Sequence, residues 1–132
     1  LAEGAPHPAL LAAYGEVDVA LDPFPYSGGL TTLEAFWMGV PVVTLPERRF
    51  VSRHTLAHAS VLGHPEWAAR DADDYVRIAA RLASDPDALA AVRAGLRSGM
   101  AASPLCDGPR FTRNLEAAFR AMWRDWCAKP VS

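Results

Sequence analysis

A chain of 132 residues is long enough for one hydrophobic core and short for two. Hydrophobic residues make up 51% of it and charged residues 21%, the balance of an ordinary globular protein. A formal net charge of -2 gives no electrostatic case for nucleic acid, whose binders carry a clustered basic face.

The first segment, "PALLAAY" (8–14), is short, apolar and alanine-rich, and reads as a helix. "VDVALD" (17–22) is β-branched and stopped by Pro23, which predicts a short buried strand. A turn-rich stretch then leads through Ser27-Gly28-Gly29 into a helix over about 31–38, ended by Gly39 and Pro41. "VPVVTLP" (40–46) is a second apolar strand between prolines, and a helix is expected from Ser52 to Leu62, ending at Gly63. Strand, helix and strand joined by short turns make one βαβ unit with parallel strands.

The second half is helical. Asp71 is placed to cap "ADDYVRIAARLA", whose Tyr75, Ile78, Ala79 and Leu82 share a face. Asp85-Pro86 starts another helix carrying Leu89, Val92 and Leu96. The last helix is expected from about Pro109 to Ala128, with Phe111, Leu115, Phe119, Met122, Trp123 and Trp126 on one broad stripe. That stripe fits a core or domain-docking surface better than a ligand site. Two parallel strands are too few for so many helices, because a parallel sheet is covered on both faces. The pattern is that of the C-terminal part of a Rossmann-like α/β domain, and the start at Leu1 rather than methionine reads as a piece of a longer protein.

The two cysteines, Cys106 and Cys127, have no CxxC spacing, so neither a disulfide framework nor a zinc site is indicated. Reduced thiols in the cytoplasm are expected. No run reaches the roughly 18–20 apolar residues of a membrane helix, and there is no secretory signal pattern.

The stretch that carries chemistry is "DPFPYSGGLTTLEAFWMGVP" (22–41). A helix start exposes unpaired N–H groups and the positive end of the helix dipole. Gly28 and Gly29 let the backbone approach a ligand, and the Thr31 and Thr32 hydroxyls add donors, so the turn suits a diphosphate without lysine or metal. It follows a strand's carboxyl end, where open α/β sheets bind ligands. The competing reading is a capping box, with Thr31 as N-cap and Glu34 reaching back to it. In the first reading Glu34 accepts hydrogen bonds from ribose hydroxyls; in the second it does nothing chemical. His54 and His58 stand at the i, i+4 spacing of metal ligands without an HExxH glutamate, which favours a packed pair. Asp18 and Asp22 bracket the first strand.

"VDVALDPFPYSGGLTTLEAFWMGVPVVTLP", "SRHTLAHASVLG", "DDYVRIAARLASDPDAL" and "SPLCDGPRFTRNLEAAFRAMW" resemble, in order and spacing, the C-terminal end of the O-GlcNAc-transferase family, nearest its bacterial and plant Spindly-like branch. The likeness runs from about residue 8 to 127. It implies a GT-B glycosyltransferase, with residues 1–132 forming the C-terminal part of the nucleotide-sugar domain. The N-terminal catalytic half and any tetratricopeptide repeats would lie elsewhere in the parent chain. It implies donor binding by Tyr26, Ser27, Gly28, Gly29, Leu30, Thr31 and Thr32, with Glu34 holding the ribose. The implied reaction is inverting and needs no cofactor or metal: a Ser or Thr hydroxyl of an acceptor protein displaces the nucleoside diphosphate. No catalytic residue is implied within this chain, because the family's essential lysine and acceptor-facing residues lie upstream. This piece alone is therefore expected to be inactive.

The chain departs from the family in three places. Leu30 stands where relatives carry threonine or a histidine–threonine step, and Leu10 and Ala13 replace basic residues that sandwich the base in the animal enzyme. Glu47-Arg48-Arg49 replaces a Gly-Glu after the second strand. Both UDP-GlcNAc and GDP-fucose are donors within the resembling group, and a degenerate scaffold kept for partner binding is the reading from another class.

Overall fold

The computed structural model describes residues 6–129. Helix α1 (His7–Ala13) and a single 3-10 turn lead into strand β1 (Ala20–Leu21), followed by α2 (Leu30–Trp37) and β2 (Val42–Val43). The strands are parallel, Ala20 opposite Val42 and Leu21 opposite Val43, so the expected βαβ unit forms. Both strands are shorter than their apolar runs suggest. Regular pairing is confined to two residues each, and Thr44 then bridges to Ala68 in the next loop.

β2 is covered on both faces. Val42 joins Ala35, Phe36, Val40, Ala59, Trp67, Leu96 and Met100 in the larger core cluster, while its neighbour Val43 points the other way onto Ala69 and Ile78. Alternation along a strand makes this possible. α2 ends at Gly39, whose φ of +80° favours glycine, and a Cβ there would stand 3.0 Å from the carbonyl oxygen of Arg93.

The helix expected over 52–62 is split. A 3-10 turn covers Phe50–Ser52, Arg53 departs from helical geometry (φ −119°, ψ 5°), and α3 runs His54–Val61. The remaining helices are α4 (Ala72–Ser84), α5 (Pro86–Ala101) and α6 (Gly108–Cys127). Each begins on an aspartate whose carboxylate accepts a first-turn N–H: Asp71 from Asp74, Asp85 from Ala88 and Asp107 from Arg110. α6 buries no residue, and Phe111, Phe119, Trp123 and Trp126 are all more than half exposed. The stripe expected on this helix is present, but it is not core within these residues.

Candidate functional site

The carboxyl end of β1 and the start of α2 form the candidate site. The peptide bond between Phe24 and Pro25 is cis. The chain between the two elements is pinned by a polar cluster beneath it. Asp22, 3% exposed, accepts hydrogen bonds on Oδ1 from the Gly28 amide (2.6 Å) and on Oδ2 from the hydroxyls of Ser27 (2.8 Å) and Thr44 (2.6 Å). Thr55, fully buried in the first turn of α3, donates its amide to Ser27 Oγ (3.0 Å), and its Oγ1 lies 2.9 Å from both Ser27 Oγ and Thr32 Oγ1. The Tyr75 hydroxyl of α4 donates to the Asp22 carbonyl at 2.8 Å. Burial, with the Asp22 charge second, raises the pKa of Tyr75 and keeps that proton in place.

This cluster sorts the sequence-predicted donors into two sets. The Gly28 amide and the Ser27 and Thr32 hydroxyls are turned inward and engaged. Among the described residues, the amides of Gly29, Leu30, Thr31 and Thr32 have no protein acceptor, as expected of a helix's first turn. Thr31 is exposed, and its carbonyl accepts from Tyr14 Oη at 3.1 Å. Burial, and then the charge of Glu34, raises the Tyr14 pKa. Gly28 has a steric reason to be glycine: a Cβ would come within 2.6 Å of Thr32 Oγ1 and 3.0 Å of Thr31 Oγ1. A small depression of about 140 Å³ opens between β1 and α2, with Tyr14, Asp22, Thr31 and Thr32 in its wall.

The capping box does not form. The N-cap of α2 is Gly29 and no side chain caps the helix, so Thr31 is its second residue. Glu34 turns toward α1 instead, its Oε1 2.7 Å from Nε2 of His7. Its side chain is 12% exposed, and its second oxygen has no partner among the described residues. Tyr26 and Leu30 stand at the rim, 66% and 70% exposed, and Tyr26 meets His54 edge-on at 6.5 Å.

The other candidates separate from this site. Asp18 is exposed and faces Arg93 at 3.6 Å, while Asp22 is buried, so the two carboxylates share no cleft. His54 packs edge-on against Phe50 at 4.8 Å. His58 is half-buried with Nδ1 unpartnered; burial, and then its neighbour His54, lowers its pKa. No group of three metal-ligating side chains occurs among the described residues. Thr55 and Thr44 are the members of the cluster that sequence reasoning missed. The only local signal was a hydroxyl on an otherwise apolar helix face or strand.

A family model described as "Glycosyl transferase family 41" matches residues 13–115. The chain belongs to that family. A family 41 relative from Eustoma exaltatum subsp. russellianum, named a probable UDP-N-acetylglucosamine–peptide N-acetylglucosaminyltransferase SPINDLY, is 44% identical over 119 residues. The match takes in 89% of this chain and 13% of that protein. The UDP-N-acetylglucosamine–peptide N-acetylglucosaminyltransferase of Caenorhabditis elegans is 35% identical over 107 residues, 81% of this chain and 9% of that one. A solved structure of a Thermobaculum terrenum O-GlcNAc transferase mutant superposes with a TM-score of 0.89 and 43% identity, covering 96% of this chain and 24% of its own. The fold is thus α/β, a portion of a Rossmann-like domain as the sequence pattern suggested, and of the GT-B kind as the resemblance implied. The chain spans about an eighth of the plant relative's length (13%). Among the described residues no helix is long and apolar enough to cross a membrane.

Proposed function

We propose that this chain is the C-terminal part of the donor domain of a family 41 protein glycosyltransferase, cradling the diphosphate of a nucleotide sugar at the start of α2. The observation that carries the reading is the set of four amides, Gly29 to Thr32, left without protein acceptors at a helix start beside a glycine that excludes any Cβ. The dipole and those N–H groups suit a diphosphate, and the Thr31 hydroxyl stands beside them. Glu34, one turn further, keeps one oxygen open for ribose hydroxyls.

In the reaction, a Ser or Thr hydroxyl of an acceptor protein attacks the anomeric carbon with inversion and loses its proton. The bond from that carbon to the diphosphate oxygen breaks, GlcNAc passes to the acceptor and the nucleoside diphosphate departs. The work of this chain is to stabilise charge growing on that leaving group without metal or cofactor, which fixed backbone dipoles do without reorganising. The depression of about 140 Å³ is small against the roughly 300–1,000 Å³ of ligand pockets. The remaining walls, the catalytic groups and the acceptor contacts are assigned to the N-terminal GT-B domain of the parent, with tetratricopeptide repeats as an acceptor-recruiting element. The exposed stripe of α6 is the surface on which other parts of that polypeptide dock. We place the parent in the cytoplasm, in keeping with two unpaired cysteines.

GDP-fucose is retained as the alternative donor because Leu10, 45% exposed, and Ala13 stand where the family resemblance implies base-sandwiching basic residues, so nothing at these positions selects one base. Calorimetric titration of the full-length protein with UDP, GDP, UDP-GlcNAc and GDP-fucose, without added metal, tests the reading. Binding of UDP and UDP-GlcNAc is expected. Binding of the guanine pair alone reassigns the donor. Binding of none by a folded protein makes the chain a scaffold.

A further inference from the structure

We propose that Asp22 and Thr55 are positioning residues for the donor diphosphate: they hold the Ser27-Gly28 turn from below so that the next four amides face outward. This rests on the donor-site reading above. The two side chains come from different elements, the end of β1 and the first turn of α3, and meet at Ser27 Oγ, 2.8 Å from Asp22 Oδ2 and 2.9 Å from Thr55 Oγ1. Asp22 takes the Gly28 amide and so turns that N–H away from the ligand face. Thr55 Oγ1 shares a hydrogen bond with Thr32 Oγ1 (2.9 Å) and lies 3.3 Å from the Gly28 carbonyl, which fixes the first turn of α2 against α3.

Stability alone does not explain this choice of residues. Asp22, Ser27, Thr32, Thr44 and Thr55 are each 3% exposed or less, beside a core of Val43, Ala59 and Phe36. Apolar side chains of similar size would fill the space without desolvating a carboxylate and four hydroxyls. A paired polar cluster specifies orientation instead, because hydrogen bonds are directional and a buried donor or acceptor left without its partner is costly. The element it orients is the turn that sets where the free amides of α2 point. Binding that relies on several N–H groups converging on one diphosphate is sensitive to displacements well under 1 Å, so the turn is where such rigidity matters.

The test is Thr55→Val in the full-length protein, a substitution that keeps the shape and removes the hydroxyl. Titration with UDP and with uridine (GDP and guanosine if the wild type prefers them) gives the advantage of diphosphate over nucleoside, and a thermal melt gives stability. The expected result is an advantage about tenfold smaller, with nucleoside affinity unchanged and Thr55→Ser restoring most of it. A lower melting temperature with an unchanged advantage overturns the proposal and leaves the cluster purely structural. If Thr55→Val does not fold, Ser27→Ala removes the shared hydroxyl at a smaller side chain and is read in the same way. A wild type that binds no nucleotide overturns the donor-site reading and this proposal together, whereas a binding wild type with an unchanged variant overturns this proposal alone.

Discussion

Oε1 of Glu34 lies 2.7 Å from Nε2 of His7, and neither carboxylate oxygen bonds to the first turn of its own helix. The carboxylate that the sequence offered as a cap therefore has no capping work to lose. Glu34→Ala is expected to cost no cap and only the contact with the exposed His7, about 1 kcal/mol of stability or less. Nucleotide affinity should fall by roughly 1.5–3 kcal/mol, the range for hydrogen bonds to a charged group. Calorimetry and thermal melts on the same variant separate the two. A destabilised protein with full affinity would restore the capping role.

Adjacent threonines should respond differently. Thr31 is exposed at the helix start, whereas Thr32 is 3% exposed with its hydroxyl on Thr55. Thr31→Ala should weaken the nucleoside diphosphate by about 1 kcal/mol and leave folding intact. Thr32→Ala should destabilise the fold by about 1–3 kcal/mol, because Thr55 loses a buried partner. Chemical denaturation and diphosphate titration of both variants check the split. Identical behaviour would show that the two hydroxyls are not sorted as described.

Local chemistry was the legible part of this fold. Asp71, Asp85-Pro86 and Gly39 act through neighbours within about four residues, so the caps and the end of α2 could be read directly. The polar cluster could not, because Ser27 and Thr55 are 28 residues apart and Thr44 and Asp22 are 22 apart. Nothing in a one-dimensional pattern says which hydroxyl will find a partner across the sheet. The capping box misled for the same reason. "TTLE" carries the local signal, but His7, 27 residues away, supplies the partner that Glu34 takes. The glycines and the strand before them single out the turn into α2 as a candidate site, while the sorting of its amides and hydroxyls into inward and outward sets was not legible.

Gly28→Ala should impair folding and binding together. The new Cβ would stand 2.6 Å from Thr32 Oγ1 and 3.2 Å from Asp22 Oδ1, both held in the buried cluster. Neither atom is the loose end of a flexible side chain, so the turn must move. A loss of about 1–3 kcal/mol in stability is expected, with weakened diphosphate binding in the protein that remains folded. Gly29→Ala is the control for stability alone, since its Cβ would meet only His54 Nδ1, at 4.0 Å. Equal losses of stability in the two variants would count against a pinned turn.

Two groups predict loss of stability in acid. The folded pKa of His58 is lowered chiefly by burial and then by His54, so its neutral form is favoured by folding. That contribution is present above the unfolded value of about 6.5 and is lost as pH falls toward the folded pKa. The Asp74 carboxylate is held below its ordinary range, first by the side-chain hydrogen bond from Arg70 and then by the Arg70 amide. Its contribution is present above about 3.9 and is lost as pH falls through the depressed value. Melting temperature should therefore fall in two steps, one beginning near pH 6.5 and one below pH 4. His58→Phe should flatten the first step and leave the second. A single step in wild type and variant alike would show that His58 titrates normally.

The stripe of α6 yields a prediction with opposite signs in two contexts. Trp123 and Trp126 are 66% and 70% exposed, and with Phe111, Phe119 and Met122 they form an apolar face that nothing covers among the described residues. A continuous face of that kind on a helix of 20 residues favours self-association when left open. Replacing both tryptophans by glutamate should therefore make the excised 132-residue chain more monodisperse by light scattering. In the full-length protein the same change should be damaging if other parts of the polypeptide dock on the face, by about 2–5 kcal/mol for large side chains removed from a packed interface. A full-length protein indifferent to the double substitution would show that this face is free there too and that α6 serves a separate partner. The sign of the change in the longer chain thus decides between an internal seam and an external surface.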